Sequence, residues 1–93
     1  EIRGHVLHVD RFGNVITNIS AQELAPERAS AGARVRVGKH EAVRVVTHFA
    51  EAAPNELFAY FGSAGFLEVG AQRQSAARLT EARRGIEVEV TIP

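Results

Sequence analysis

Ile86-Glu87-Val88-Glu89-Val90-Thr91-Ile92, which follows Gly85, alternates apolar and polar side chains at every step. Successive side chains of a strand point to opposite faces, so a period of two predicts a β-strand with one buried and one solvated face. Ala33-Arg34-Val35-Arg36-Val37 repeats the pattern behind Gly32, and Gly38-Lys39-His40 turns it into a further alternation from Glu41 to Thr47. Upstream, Ile2 to Val9 reads as a strand ending at Asp10. Arg11-Phe12-Gly13-Asn14 reverses it, with Gly13 and Asn14 tolerant of left-handed backbone, and the β-branched run Val15-Ile16-Thr17-Asn18-Ile19 sets out again as the second arm of a hairpin. Glu56 to Phe61 and Phe66 to Gly70 are strands joined by the small-residue turn Gly62-Ser63-Ala64-Gly65. About seven short strands with glycine-bearing turns predict an all-β fold, a small closed or partly open β-barrel, with a sandwich as the other solution. One or two short helices accompany it. Ser20 and Glu23 fit a capping box, which predicts one helical turn over Ala21–Ala25 before Pro26, and Ser75 caps a second over Ala76–Leu79.

The composition narrows the function classes. Ninety-three residues build one domain, not two. Eleven basic residues, ten of them Arg, balance eleven acidic ones, so no basic field exists to collect phosphates, and neither nucleic acid nor an anionic membrane is an expected partner. With no Cys, disulfides, a thiolate nucleophile and a Cys-ligated zinc are excluded. His5 and His8 are three apart on a strand and point to opposite faces, so they do not share a metal or catalytic site. No apolar run approaches the roughly 20 residues of a membrane span, and a cytoplasmic location is expected. Glu1 falls inside what reads as a strand, which suggests a piece of a longer protein.

Two stretches exceed what folding requires. Asp10-Arg11-Phe12-Gly13-Asn14 crowds a carboxylate, a large aromatic and an amide into a tight turn, where an exposed ring gives no folding benefit. Gly62-Ser63-Ala64-Gly65 lets a ligand approach backbone N–H groups closely. Phe49 stands at a strand end before a polar loop. Structural alternatives stand beside these readings. Phe12 and Phe49 could cap a barrel end, Asp10 could hold the hairpin as an Asx turn, Asn14 could serve as a left-handed turn residue, and Ser63 could be a plain turn residue. Arg83-Arg84 reads as a solvated turn.

Val9-Asp10-Arg11-Phe12-Gly13-Asn14-Val15-Ile16-Thr17-Asn18-Ile19, then Thr47-His48-Phe49-Ala50, then Ser63-Ala64-Gly65-Phe66-Leu67-Glu68-Val69 and Ser75-Ala76-Ala77 resemble the C-terminal domain of the S-adenosylmethionine (SAM) hydrolases. These SAM hydroxide adenosyltransferases are related to fluorinase and chlorinase. The resemblance implies that residues 1–93 form the adenosyl- and methionine-binding C-terminal domain of a longer, two-domain enzyme. In that enzyme water displaces methionine from the ribose 5′ carbon and yields adenosine and L-methionine. It implies that Phe12 and Phe49 sandwich the adenine, that Asn14 reads an adenine nitrogen edge, and that Asp10 takes the methionine ammonium. Ser63 is then expected to meet the methionine carboxylate, and Arg73 to complete the adenine site through its main chain.

No catalytic residue is expected in this chain, since the family's water-handling residues belong to the N-terminal domain of a neighbouring subunit in a homotrimer. SAM is the substrate, and neither a cofactor nor a metal is expected. Halogenating relatives resemble Ser-Arg-Gly at the third motif and carry Trp after Phe-Gly-Asn-Val; Ala64 and Ile16 here point to the hydrolase branch. The Asn that commonly precedes the Ser is Gly62. The rival readings are a noncatalytic β module that binds a nucleoside or a protein through Phe12 and Phe49, and a halide-using relative.

Overall fold

A computed structural model describes all 93 residues apart from the side chain of Phe49. Seven strands form one sheet: β1 (Ile2–Val9), β2 (Val15–Ser20), β3 (Arg34–Val37), β4 (Val43–Arg44), β5 (Leu57–Phe61), β6 (Phe66–Ala71) and β7 (Glu87–Thr91). Their spatial order is β4-β3-β7-β1-β2-β6-β5, and every neighbouring pair is antiparallel. The ends of this order meet at one parallel bridge, Val45 to Ala59, where the Val46 N–H donates to the Ala59 carbonyl at 2.8 Å. The result is a nearly closed barrel.

The long first strand makes closure possible. Its first half pairs with β7, from Ile2 opposite Val90 to His5 opposite Glu87, and its second half with β2, ending at Val9 opposite Val15. Between Val6 and His8 the register with β2 slips by a residue. Such a bulge bends and twists its strand, and here it turns β1 from one side of the barrel to the other. Asn18 settles the backbone nearby, its Oδ1 accepting from the His5 N–H at 2.8 Å over the bare Cα of Gly4.

The alternation in sequence becomes an inside and an outside. Val88 and Val90 of β7, Val35 and Val37 of β3, Leu67 and Val69 of β6 and Ala59 of β5 are buried in one core with Val6, Val15 and Ile19. The outer face of β7 carries Glu89, which lies opposite Arg3 and Arg36 and pairs with both. Thr17, fully buried, repairs a break in the β2–β6 ladder: its hydroxyl donates to the Leu67 carbonyl at 2.7 Å and accepts from the Ile19 N–H at 3.2 Å.

Three local expectations need correction. The capping box forms, with reciprocal 3.2 Å bonds between Ser20 and Glu23, but Ala21–Ala25 makes turns and the helix α1 runs Pro26–Ser30. Proline lacks an N–H and has its φ preset, so it suits the first turn of a helix and starts this one. The strand expected from Glu41 to Thr47 is confined to Val43–Arg44 with the bridge at Val45, because the chain there crosses from β3 to the closing seam. Asn14 does not adopt left-handed backbone; Gly13 alone supplies the positive φ of its turn, +86°. The second helix, α2 (Ala76–Thr80), begins at Ser75, whose Oγ accepts from the Arg78 N–H at 3.2 Å.

Candidate functional site

The turn between β1 and β2 is built by the side chain of Asp10. Its Oδ1 accepts from the backbone N–H groups of Phe12 and Asn14, both at 2.9 Å, and its Oδ2 accepts from Asn14 Nδ2 at 3.1 Å. Two backbone bonds of 3.0 Å close the same loop, Asp10 N–H to the Asn14 carbonyl and Gly13 N–H to the Asp10 carbonyl. Burial pushes the Asp10 carboxyl upward, but the hydrogen bonds from Asn14, Phe12 and Gly13 together outweigh it and hold the group below its ordinary range. The carboxylate therefore stays ionised and is presented at the barrel's end.

With its backbone fixed, the turn projects Phe12 outward. The ring is 69% exposed, the most exposed large hydrophobic side chain among the described residues, and the Arg11 guanidinium lies 5.0 Å from its centroid. Beneath it, the Ala77 N–H donates to the Gly13 carbonyl at 2.8 Å, which ties the turn to the start of α2. Phe12, Asn14, Ala71, Arg73, Gln74 and Ser75 enclose an open cleft of about 450 Å³. Arg73 adopts a positive φ of +60° and also borders a smaller groove of about 180 Å³ with Pro54, Asn55 and Gln72. Gln74 Nε2 donates to Asn55 Oδ1 at 3.0 Å, joining the loop after β6 to the loop before β5.

The 46–56 segment covers the outer face of β5. Val46, Ala52 and Phe58 form a small second core with Tyr60 packed against it. Phe49–Glu51 is one 3-10 turn of that segment. Glu51 ties it down: its Oε1 accepts from the Thr47 and His48 N–H groups at 2.9 and 2.8 Å and from the Thr47 hydroxyl, bonds that hold its carboxyl below the usual range. The Phe49 side chain lies outside the described residues.

Asp10, Phe12, Asn14 and Arg73 thus gather at one end of β6. Ser63 is exposed on the turn at its other end, which is closed by the Gly65 N–H donating to the Gly62 carbonyl at 2.9 Å. The six residues of β6 separate the two ends by roughly 17 Å at about 3.3 Å per residue. The outer face of β5 and β6 between them carries Tyr60, Glu68 and Gly70, which the sequence reading did not single out. Two signals pointed to them: Glu68 is a lone charge in an apolar strand, and a glycine inside a strand commonly marks a close approach. Tyr60 and Glu68 face each other across the strands, and the phenol donates to Glu68 Oε1 at 2.9 Å.

A larger cleft of about 720 Å³ lies elsewhere, between the Gly38–Glu41 turn and the Leu79–Glu87 segment, and none of the motif side chains lines it. No helix among the described residues is long and apolar enough to cross a membrane.

Comparison with known proteins places the chain among relatives of the same fold. A (R)-S-adenosyl-L-methionine hydrolase of Thermus thermophilus is 39% identical over 87 residues, which are 94% of this chain and 31% of that protein. An uncharacterized conserved protein from Thermotoga maritima superposes with a TM-score of 0.82 at 34% identity, covering 96% of this chain and 35% of the other. A conserved hypothetical protein from Thermus thermophilus superposes at 0.78 with 38% identity, covering 96% and 34%. The chain spans about a third of the length of these relatives. Residues 4–89 match the SAM hydroxide adenosyltransferase C-terminal domain, and the chain belongs to that family.

Proposed function

We propose that this chain is the substrate-binding C-terminal domain of an adenosine-forming SAM hydrolase. The observation that carries the reading is the cleft beside Phe12. An aromatic face exposed to water is walled by Asn14, which carries a side-chain amide, and by Ala71, Arg73, Gln74 and Ser75. Such a surface fits a purine, with stacking on the ring at about 1–3 kcal/mol and an amide that both donates and accepts along the base edge. The name of the Thermus thermophilus relative supports the substrate class.

In this reading Phe12 supplies one stacking face and Phe49 the other, Asn14 reads the adenine edge, and the Arg73 main chain completes the base site. Asp10 receives the methionine ammonium on Oδ2, which accepts one bond within the turn and has a further lone pair; the carboxylate is borne by the same carbon and so lies at that end as well, not at Ser63 a strand length away. The outer face of β6 is the floor on which the ligand lies. Water attacks the ribose 5′ carbon and the carbon–sulfur bond breaks. The electron pair returns to sulfur as neutral methionine, and the water's extra proton goes to solvent. The sulfonium is already a good leaving group, so catalysis consists of placing and desolvating the water, with no cofactor beyond the substrate. The N-terminal domain of a neighbouring subunit in a homotrimer supplies that enclosure, covers Phe12 and completes the site.

The test is to incubate the full-length protein with SAM and follow adenosine and L-methionine by chromatography. Equal release of both supports the reading. Release of a halogenated nucleoside when halide is added, or no turnover with adenosine unbound, sinks it.

A further inference from the structure

On the outer face of the barrel, between the Asp10–Asn14 turn and the Ser63 turn, one pair of side chains reaches toward both ends of the site. Tyr60 and Glu68 are directly opposed on β5 and β6 and share the 2.9 Å hydrogen bond from phenol to carboxylate. At one end of the pair lies Gly70, buried although it has no side chain. A Cβ there would stand 3.1 Å from Asn14 Oδ1 and 3.2 Å from Tyr60 Cε1, so the Asn14 amide and the edge of the Tyr60 ring converge on that bare Cα. At the other end lies Gly62, where a Cβ would overlap the Glu68 carboxylate, whose Cδ would be only 2.6 Å away. The carboxylate thus fills the place of a side chain at the residue before Ser63. The Tyr60 ring also packs on Phe58, with centroids 5.6 Å apart, and so on the small core under the Phe49 segment.

We propose that Tyr60 and Glu68 are a positioning pair, a strut that sets the Ser63 turn at a fixed separation from the Asn14 amide and so fixes the floor beside Asp10 and Asn14 on which the ligand lies. This rests on the reading of the site given above. The chemistry suits the task. A hydrogen bond to an ionised partner is stronger and more directional than a neutral one, and here it locks two long side chains whose free rotation would leave both ends loose. The surroundings agree: burial, the bond to Glu68, and the charges of Glu68 and Asp10 all push the Tyr60 phenol above the ordinary tyrosine range.

The chain contains one tyrosine and no tryptophan, so the phenolate absorbance of the 93-residue chain reports on Tyr60 alone. Alkaline titration is expected to show late ionisation. Glu68→Gln should bring it back toward that of free tyrosine, and Asp10→Asn should do so to a smaller extent. In the full-length protein, calorimetry with adenosine and with L-methionine reads the two parts of the ligand separately. Tyr60→Phe keeps the ring edge beside Asn14 but frees Glu68, and is expected to weaken L-methionine about fivefold, the worth of one net hydrogen bond, while adenosine changes less than about twofold. Glu68→Gln retains an acceptor for the phenol and should hold L-methionine within about twofold, whereas Glu68→Ala should match Tyr60→Phe. The proposal is overturned if Glu68→Gln leaves the titration unmoved, or if Tyr60→Phe and Glu68→Ala bind L-methionine like the parent. A parent protein that binds neither ligand overturns the adenosyl-site reading itself, and this inference with it.

Discussion

Phe12 carries the largest discrepancy between what a residue does for the fold and what it costs to display. The cation–π contact with Arg11 is worth about 0.5–1 kcal/mol at an exposed site, less than the roughly 1.5–3 kcal/mol that burying a Phe would gain. Its exposure is therefore unexplained by folding and fits the stacking role proposed for it. Phe12→Ala is expected to weaken adenosine by about 1–3 kcal/mol in calorimetry and to leave the thermal midpoint almost unchanged; a drop in midpoint with full affinity would make it a packing residue. Asp10 organises the turn through its carboxylate, and the proposed ammonium contact would use the outer oxygen of the same group. Asp10→Asn should weaken L-methionine more than adenosine, because only the former carries an ammonium, and equal losses would assign it to the turn alone. The Asx turn of Asp10 was legible in the sequence, because it follows from residue type and spacing, whereas the ammonium contact came only from the family resemblance. Tyr60 was not legible in that way: its significance depends on which residue of β6 it faces, a matter of register that no local pattern supplies.

Among the elements, the hinge of the site is the junction of the 10–14 turn with α2. Gly13 requires its identity twice over, once for φ +86° and once because a Cβ would overlap Ser75 Oγ and stand 2.8 Å from Ser75 Cα. Gly13→Ala is expected to destabilise the chain by about 1–3 kcal/mol in urea unfolding and to weaken adenosine as well, since the wall of its cleft shifts. A stable variant with unchanged affinity would show that turn and helix are independent. The base of the 46–56 segment depends on charge: Arg44 Nε donates to Glu56 Oε2 at 2.7 Å and its Nη2 to Oε1 at 3.0 Å. With the Ala53 N–H these bonds bring the Glu56 carboxyl down to about 2 from an ordinary 4.5. A lowered native pKa stabilises the fold fully above the unfolded value, and that contribution fades as the pH falls toward the native one. Glu56→Gln should accordingly flatten the stability profile between about pH 4.5 and 2 and leave it parallel to the parent at neutral pH. Strands were the legible elements, because a period of two persists through Val35–Val37 and Val88–Val90 whatever the tertiary context. The helix placed over Ala21–Ala25 and the long strand from Glu41 were not, because a capping box can close a turn without propagating it and because β4 stops where the barrel must close.

Taken whole, the chain closes a core of its own, with Val6, Val15, Val35, Leu67, Val69, Val88 and Val90 all inaccessible to water. The 93-residue chain is expected to fold alone, to bind adenosine weakly and to release neither adenosine nor methionine from SAM, since one open cleft cannot exclude bulk water. Adenosine released above a protein-free control, and abolished by Asp10→Asn, would place the water-handling machinery inside these residues. Barrel closure was foreseeable from strand number, and the way it closes was not, for a seam between β4 and β5 joins segments with no shared sequence pattern.

That seam has a dynamic consequence. A cylinder sealed along six sides by antiparallel ladders and along the seventh by a single parallel bridge will breathe at the seventh, because local opening there disrupts the fewest backbone bonds. The Val46 amide should exchange its hydrogen with heavy water far sooner than the amides of β1, and it is the last residue before the Thr47-His48-Phe49 segment. An adenine held against that segment would have to quiet this motion, so retarded exchange at Val46 on adding adenosine would register occupancy of the site from the far side of the barrel wall.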